Sequence, residues 1–194
     1  MTLLAIARPN GRKQTMIFYH FTSGSHLRGI ARFGLTVGDV PLDISTQHAR
    51  VGVWLTSALT GNGHGLESSA VDKTQYRLSV EVDAGSPLFV KWTEWAPGKV
   101  TTKTIRALHR AADNHGGEGP ESWYIYFGVL PVAAIRQCFD TRSESEVPNW
   151  RAISSPGLEL KGVPAWRREA WLRQLNKKIE RSLEAEARKD SGTL

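Results

Sequence analysis

The segment from Thr74 to Asp83 constrains the fold of this chain more than any other. In its sequence, TQYRLSVEVD, apolar side chains occupy every second position from Tyr76 to Val82. Successive side chains of a β-strand point to opposite faces, so this alternation predicts a strand with one buried and one polar face. Such half-buried strands are typical of antiparallel sheets. The chain is therefore expected to bury one face of a sheet under another layer.

Further strands are predicted on both sides of this segment, and helices between them. Residues 16–22, 51–57, 87–92 and 122–130 are rich in β-branched and aromatic side chains. A helix is predicted to start at Ser23 or Ser25, whose hydroxyl would accept a free backbone N–H, and to end before a left-handed Gly34. A second helix covers 102–117, and a short helical turn follows Pro131. This order of short elements predicts a mixed α+β fold.

The chain divides into four regions by composition. Residues 1–15 form a flexible leader, 16–140 the folded core, 141–164 a loop region, and 165–194 a basic C-terminal helix with its tail. The last helix carries an apolar stripe at every fourth residue, which would dock on the body or on a partner. That stripe consists of Trp171, Leu175, Ile179 and Leu183.

The charge of the chain is concentrated at its ends. The net charge is +6, yet residues 16–164 contain equal numbers of basic and acidic side chains. The basic C-terminal helix can attract a phosphate backbone, although a solvated helix face explains the same charge. The single cysteine, Cys138, excludes an internal disulfide and favours a cytoplasmic setting. No apolar run reaches the roughly 20 residues of a membrane span, so no membrane contact is expected.

A histidine stands at the exit of the first predicted strand. In MIFYHFTSGSHLRGIARFGL, His20 is followed by a small polar turn, a one-faced helix and a glycine. Neither a solvated loop histidine nor an ordinary core histidine requires this frame. A strand exit presents a side chain to a cleft, so His20 is a candidate functional residue. His109 and His115 have no carboxylate at metal-ligand spacing, so no metal is expected.

Three segments resemble, in the correct order, the motifs of the ADP-ribosyltransferase fold. FYHFTSGSHLRGIARFGL resembles the first motif, GVWLTS the second, and ESWYIYFGVLP the third. The resemblance implies split antiparallel β-sheets around an NAD cleft. It implies that NAD is the substrate, that nicotinamide is released, and that ADP-ribose moves to a macromolecular acceptor, either protein or nucleic acid.

The resemblance also implies roles for individual residues. His20 would bond the ribose hydroxyls, and the backbone of Phe21, next to Thr22, would bond the carboxamide of nicotinamide. Trp54 occupies the position where the family usually has a tyrosine that stacks on nicotinamide. Thr56 and Ser57 would complete the floor of the cleft.

The acid of the third motif is displaced in this chain. In relatives the catalytic Glu commonly lies about eight positions before the proline, where this chain has Trp123. Glu121 lies ten positions before Pro131, so a two-residue bulge would restore it as the catalytic acid. Otherwise the site binds a nucleotide or nucleic acid without transfer. An RNA 2′-phosphotransferase shares the fold, but it relies on several basic cleft residues, and the neutral body argues against it.

Two further side chains are candidate phosphate ligands by their own chemistry. His64 lies in the glycine-rich turn TGNGHG, where an exposed imidazole can touch an adenosine phosphate. Arg77 lies on the polar face of its strand, and its guanidinium can hold a pyrophosphate with two hydrogen bonds. An exposed turn residue and a surface charge are the competing interpretations.

Overall fold

The structure, a computed structural model, describes residues 14–36, 38–66, 72–113 and 116–152. The strands are β1 (Thr15–Thr22), β2 (Asp39–Asp43), β3 (His48–Val51), β4 (Val53–Thr56), β5 (Tyr76–Asp83), β6 (Phe89–Lys91), β7 (Trp123–Tyr126), β8 (Ile135–Asp140) and β9 (Ser145–Glu146). The helices are α1 (Gly24–Phe33), α2 (Trp92–Trp95) and α3 (Thr102–Asp113). Short 3₁₀ turns cover Gly119–Ser122, Val132–Ala134 and Trp150–Ala152.

Seven strands form one sheet in the order β6-β7-β4-β1-β5-β8-β9, and β2 pairs with β3 in a separate hairpin. All neighbouring strands run antiparallel. The predicted α+β class with antiparallel pairing is confirmed. The alternation in β5 is confirmed as well, because Leu78, Val80 and Val82 are all buried.

The sheet is nearly divided between β1 and β4. With β5, β1 is paired along its whole length, from Thr15 opposite Asp83 to Thr22 opposite Tyr76. With β4, it shares the single register pair Tyr19–Thr56. The expectation of split sheets therefore needs a correction, since this one pair keeps the strands in a continuous sheet. Beyond the Tyr19–Thr56 pair, the ladder between β1 and β4 is open.

Two clusters of buried side chains cover opposite faces of the sheet. Trp123 and Ile125 of β7 pack with α3 and Trp92, whereas Tyr124 and Tyr126 pack against the cluster under α1. Successive residues of a strand point to opposite faces, so the two clusters lie on either side of β7. The sheet is thus covered by α1 on one face and by α2 and α3 on the other.

Helix α1 matches its predicted bounds, but its first turn differs from expectation. Gly34 follows it with φ 75°, and a Cβ at this position would collide with the carbonyl oxygen of Leu130. Ser23 precedes the helix without capping it through its side chain. Its hydroxyl instead lies 2.7 Å from that of Ser25 and 3.1 Å from Nδ1 of His26.

The other predictions differ from the structure mainly in the last third of the core. The strand predicted at 122–130 is shorter, because β7 ends at Tyr126. The turn after Pro131 is present, yet Ile135 begins β8, which was not predicted. The loop region contains the two-residue strand β9. Most of the leader and the whole basic C-terminal helix lie outside the described residues.

Within the described residues, no helix has both the length and the apolar character needed to cross a membrane. The same residues contain no group of three or more His, Cys, Asp or Glu side chains placed to hold a metal ion.

Candidate functional site

A pocket of about 470 Å³ opens where β1 and β4 separate. Six of the sequence-predicted residues line it: His20, Phe21, Thr22, Trp54, Thr56 and His64. His20 pairs with Leu78 and so faces the cluster under α1, whereas Trp123, also in the lining, faces the other cluster. The pocket therefore passes through the opening in the sheet and joins its two faces.

His20 is held in one neutral form by the neighbouring strand. Its Nδ1 lies 2.9 Å from the carbonyl oxygen of Trp54, and a carbonyl only accepts, so Nδ1 carries the hydrogen. Burial lowers the pKa of His20 below its usual 6.5; the Trp54 carbonyl opposes this, while the charges of His26 and Lys73 lower the pKa further. At neutral pH the ring therefore has an unprotonated Nε2. This nitrogen has no partner among the described residues and is not sealed off from the pocket, so it can accept a ligand hydroxyl.

Trp54 and Trp123 line the pocket, and the buried Trp92 packs against Trp54. The ring centre of Trp54 lies 5.2 Å from that of Trp92 and 5.8 Å from that of Trp123. The Trp54 indole N–H donates to the carbonyl oxygen of Asp39 at 2.8 Å, which fixes the rotation of the ring. Aromatic neighbours in tilted and edge contacts hold such a ring rigidly. Trp54 is only half-buried and lines the pocket, so it offers a fixed apolar surface to a flat ligand.

Thr56 links the pocket to the turn before β7. Its hydroxyl donates to Oγ of Ser122 at 3.0 Å, and the Ser122 hydroxyl donates to the Gly119 carbonyl at 2.8 Å. The backbone N–H of Ala58 donates to Thr56 Oγ1 at 3.0 Å. The Thr56 hydroxyl therefore donates its only hydrogen within the protein and accepts one backbone hydrogen bond. Its contribution to the site is to position β4 against the Gly119–Ser122 turn.

His64 is partly buried, and both of its ring nitrogens lie within hydrogen-bond distance of protein groups. The indole N–H of Trp123 donates to Nδ1 of His64 at 2.7 Å, and Nε2 of His64 lies 3.1 Å from the Thr60 carbonyl oxygen. The ring also stacks on Phe21, with centres 5.9 Å apart. Both ring nitrogens are thus engaged within the chain. His64 lines the pocket as part of its wall and ties the 60–65 turn to β7.

Glu121 lies beside the pocket but does not line it. Its carboxylate accepts a hydrogen bond from Nζ of Lys91 at 3.1 Å, and its side chain is 75% exposed. Lys91 belongs to β6, on the side of β7 away from β4 and β1. The displaced position of this acid in the sequence thus corresponds to a carboxylate directed away from His20.

Ser57 and Arg77 are not part of the pocket lining. Ser57 is exposed, and its backbone N–H donates to the Ser122 carbonyl at 3.0 Å. The Arg77 guanidinium lies 4.6 Å from the ring centre of Phe139, and its Nη1 donates to the Leu59 carbonyl at 2.6 Å. Arg77 therefore holds the 57–60 segment on the sheet.

Sequence reasoning did not select the ten other lining residues, among them His26, Asp39, Lys73 and Trp123. The sequence gives Lys73 an acidic neighbour, Asp72. The Asp72 carboxylate instead binds Arg142 at 2.7 Å and the Thr74 hydroxyl at 2.6 Å. No local signal reveals a partner 70 residues away. Trp123 lies in the strand predicted at 122–130, whose pattern does not show which face lines a cleft.

Comparisons with known proteins give a distant structural similarity. No protein-family model matches the sequence, and no curated protein matches it. The chain is similar in structure to EcPltA, with a TM-score of 0.40 and 12% sequence identity. The superposition covers 78% of this chain and 96% of EcPltA.

Proposed function

We propose that this protein is an NAD-dependent ADP-ribosyltransferase of the ADP-ribosyltransferase fold. NAD is its substrate, and the products are nicotinamide and a macromolecule that carries ADP-ribose. The observation that supports this most is His20 at the opening of the sheet. Its Nδ1 hydrogen is committed to the Trp54 carbonyl, which leaves a neutral Nε2 acceptor in a pocket that Trp54 also lines.

That pair of features suits the nicotinamide riboside half of NAD. A ribose hydroxyl would donate to Nε2 of His20, while the flat nicotinamide ring would lie on Trp54. The pocket volume of about 470 Å³ is within the usual range for small-molecule sites, roughly 300–1,000 Å³. Two fixed contacts on one rigid half of the ligand would orient the bond that breaks.

The reaction breaks the bond between ribose C1′ and the nicotinamide nitrogen. Its electron pair stays with that nitrogen, which loses its positive charge, and positive charge develops on the ribose. An acceptor nucleophile then bonds to C1′ and gives up a proton. A carboxylate near C1′ would stabilise the developing charge.

We propose that Glu121 supplies this carboxylate after leaving Lys91. An exposed ion pair contributes only about 0–1 kcal/mol, so rotation away from Lys91 costs little. The turn that carries Glu121 is tied to the pocket through Ser122 and Thr56. A small rearrangement of this turn would bring the carboxylate toward the ribose.

The observed direction of Glu121 also supports a second function. With its carboxylate on Lys91, the pocket retains the ribose acceptor and the indole surface without this acid. Such a protein would bind a nucleotide or nucleic acid and transfer nothing.

The acceptor and the setting are further proposals. The basic 165–194 segment would hold a macromolecular acceptor, protein or nucleic acid, by its charge. A cytoplasmic setting suits the single Cys138, whose burial raises the pKa of its thiol to about 12 and keeps it unreactive.

The two functions separate in one assay. The protein is incubated with NAD, and free nicotinamide is measured by chromatography. Transferase function predicts release, with a loss of about 10²–10³-fold in Glu121→Gln, the size expected for one charge-stabilising group. Glu118→Gln is the matched control, because Glu118 is exposed and just precedes the same turn. Binding of NAD without release would establish the second function for this nucleotide, and no binding of NAD would refute the transferase function.

A further inference from the structure

Two basic side chains of the pocket have no part in the proposed chemistry. Lys73 and His26 both line it, near the carboxyl end of β1. Lys73 comes three residues before β5, and His26 lies in the first turn of α1. The charge of Lys73 lowers the pKa of both His20 and His26, after the larger effect of burial. The ammonium group therefore acts across the same space as the two imidazoles.

The charge of Lys73 is not neutralised by its neighbour. The Asp72 carboxylate is bound to Arg142 at 2.7 Å and to Thr74 at 2.8 Å and 2.6 Å. Lys73 forms no ion pair with any described residue. Asp39 also lines the pocket, but it forms no ion pair with Lys73. The ammonium group of Lys73 therefore attracts an anion in this half-enclosed space, where screening by water is reduced.

His26 is held so that it can donate into the same space. Its Nδ1 lies 3.1 Å from the Ser23 hydroxyl and 3.4 Å from that of Thr22. Burial lowers its pKa, so the ring is neutral at pH 7. When a hydroxyl donates to Nδ1, the hydrogen of the neutral ring is on Nε2. Nε2 has no partner among the described residues.

We propose that Lys73 and His26 form a phosphate subsite, which binds a phosphate group of a nucleotide whose ring system lies on Trp54. Lysine ammonium groups bind phosphate as point charges, and the imidazole N–H adds a directed hydrogen bond. The pocket then binds a phosphorylated ligand more tightly than nicotinamide alone. The phosphate subsite itself does not depend on the proposed function. It rests on the proposed function only in naming NAD as the natural nucleotide.

The experiment compares ligands with and without phosphate. Calorimetry measures the dissociation constants of NAD, ADP, inorganic pyrophosphate and nicotinamide for the full chain and its Lys73→Met variant. We expect Lys73→Met to weaken NAD and ADP at least tenfold, and pyrophosphate in parallel, while nicotinamide changes less than twofold. Lys73→Arg keeps the charge and should recover most of the affinity. Lys99→Met is the matched control, because Lys99 is exposed and outside the pocket lining.

The ligands separate failure of the subsite from failure of the proposed function. Binding of ADP that depends on Lys73, without binding of NAD, would support the subsite and refute the NAD-dependent function. Binding of NAD that Lys73→Met leaves unchanged would overturn the subsite alone. Equal weakening of nicotinamide would also overturn it, because loss of pocket shape then explains the effect. If the parent protein binds no phosphorylated probe, the subsite is refuted.

Discussion

Strand β1 is paired differently along its two edges. The edge that faces β5 stabilises the fold, and the edge that faces β4 forms part of the candidate site. Along β5, β1 is paired over its full length, and Leu78 and Val80 beneath this ladder are fully buried. Along β4, one register pair remains, and His20 replaces backbone pairing with a side-chain hydrogen bond to Trp54. The well-paired edge anchors the fold, and the open edge makes room for a ligand.

The comparison implies that changes at the two edges have different consequences. Substitutions under the β1–β5 ladder should lower the free energy of unfolding and leave the ligand affinity of the folded protein intact. Substitution of His20 at the β1–β4 opening should affect affinity more than stability. The predictions below test this separation, beginning with the largest change in stability.

Leu78→Ala should lower the free energy of unfolding by about 2–5 kcal/mol, the range for a leucine truncated in a core. Leu78 is fully buried under the β1–β5 ladder. Urea unfolding followed by circular dichroism measures the loss, and Leu59→Ala, at a side chain 54% exposed, is the control. A loss below about 1 kcal/mol would show that this edge does not anchor the fold.

Thr56→Val should lower the free energy of unfolding by about 1–3 kcal/mol, because it leaves the buried N–H of Ala58 without its acceptor. The substitution keeps the side-chain shape, so the change isolates the hydroxyl. The neighbouring exposed Ser57→Ala serves as the control in the same urea experiment. Equal stability of the two variants would contradict the linking role of Thr56.

Lowering the pH should reduce the free energy of unfolding through the histidines near the open edge of β1. This reduction should be smaller than the losses expected for the two substitutions above. His20 and His26 have lowered pKa values in the folded protein, mainly because of burial, so the unfolded chain binds protons more readily. Stability is therefore complete above the usual pKa of 6.5 and falls as the pH drops below it. Urea midpoints between pH 7.5 and about 5 measure this before most carboxylates titrate.

His20→Gln should flatten that pH profile, since it removes one of the two groups. If the urea midpoint of His20→Gln falls with acid as steeply as that of the parent, a group other than His20 causes the pH dependence of stability. His48→Gln, at an exposed histidine of β3, is the control that should leave the profile unchanged.

Local patterns predicted the elements near the well-paired edge. The alternation of β5 and the strand–helix–glycine order around β1 and α1 depend on neighbouring residues, and both are confirmed. Strand β8 was missed because its pairing with β5 shifts register between Ser79 and Val80. Such an irregularity breaks the two-residue period that identifies a strand. Helix α2 is too short to show any period.

The pocket was only partly predictable, because its geometry depends on contacts between distant residues. Thr56 ends β4, whereas His20 and Trp54 lie within β1 and β4, and the motif order suggested that the three meet. The position of the His64 ring depends on a hydrogen bond from Trp123, which is 59 residues away in the sequence. The freedom of Lys73 depends in the same way on the capture of Asp72 by Arg142.

The central claim is that His20 at the open edge of β1 recognises NAD. Calorimetric titration of NAD into the parent protein and His20→Ala tests it most directly, with urea unfolding of both as the check on the fold. We predict 1:1 binding by the parent and at least tenfold weaker binding by the variant, a difference of about 1.4 kcal/mol, with both proteins folded. An unchanged dissociation constant, or a variant that fails to fold, would contradict this role and make His20 a structural histidine.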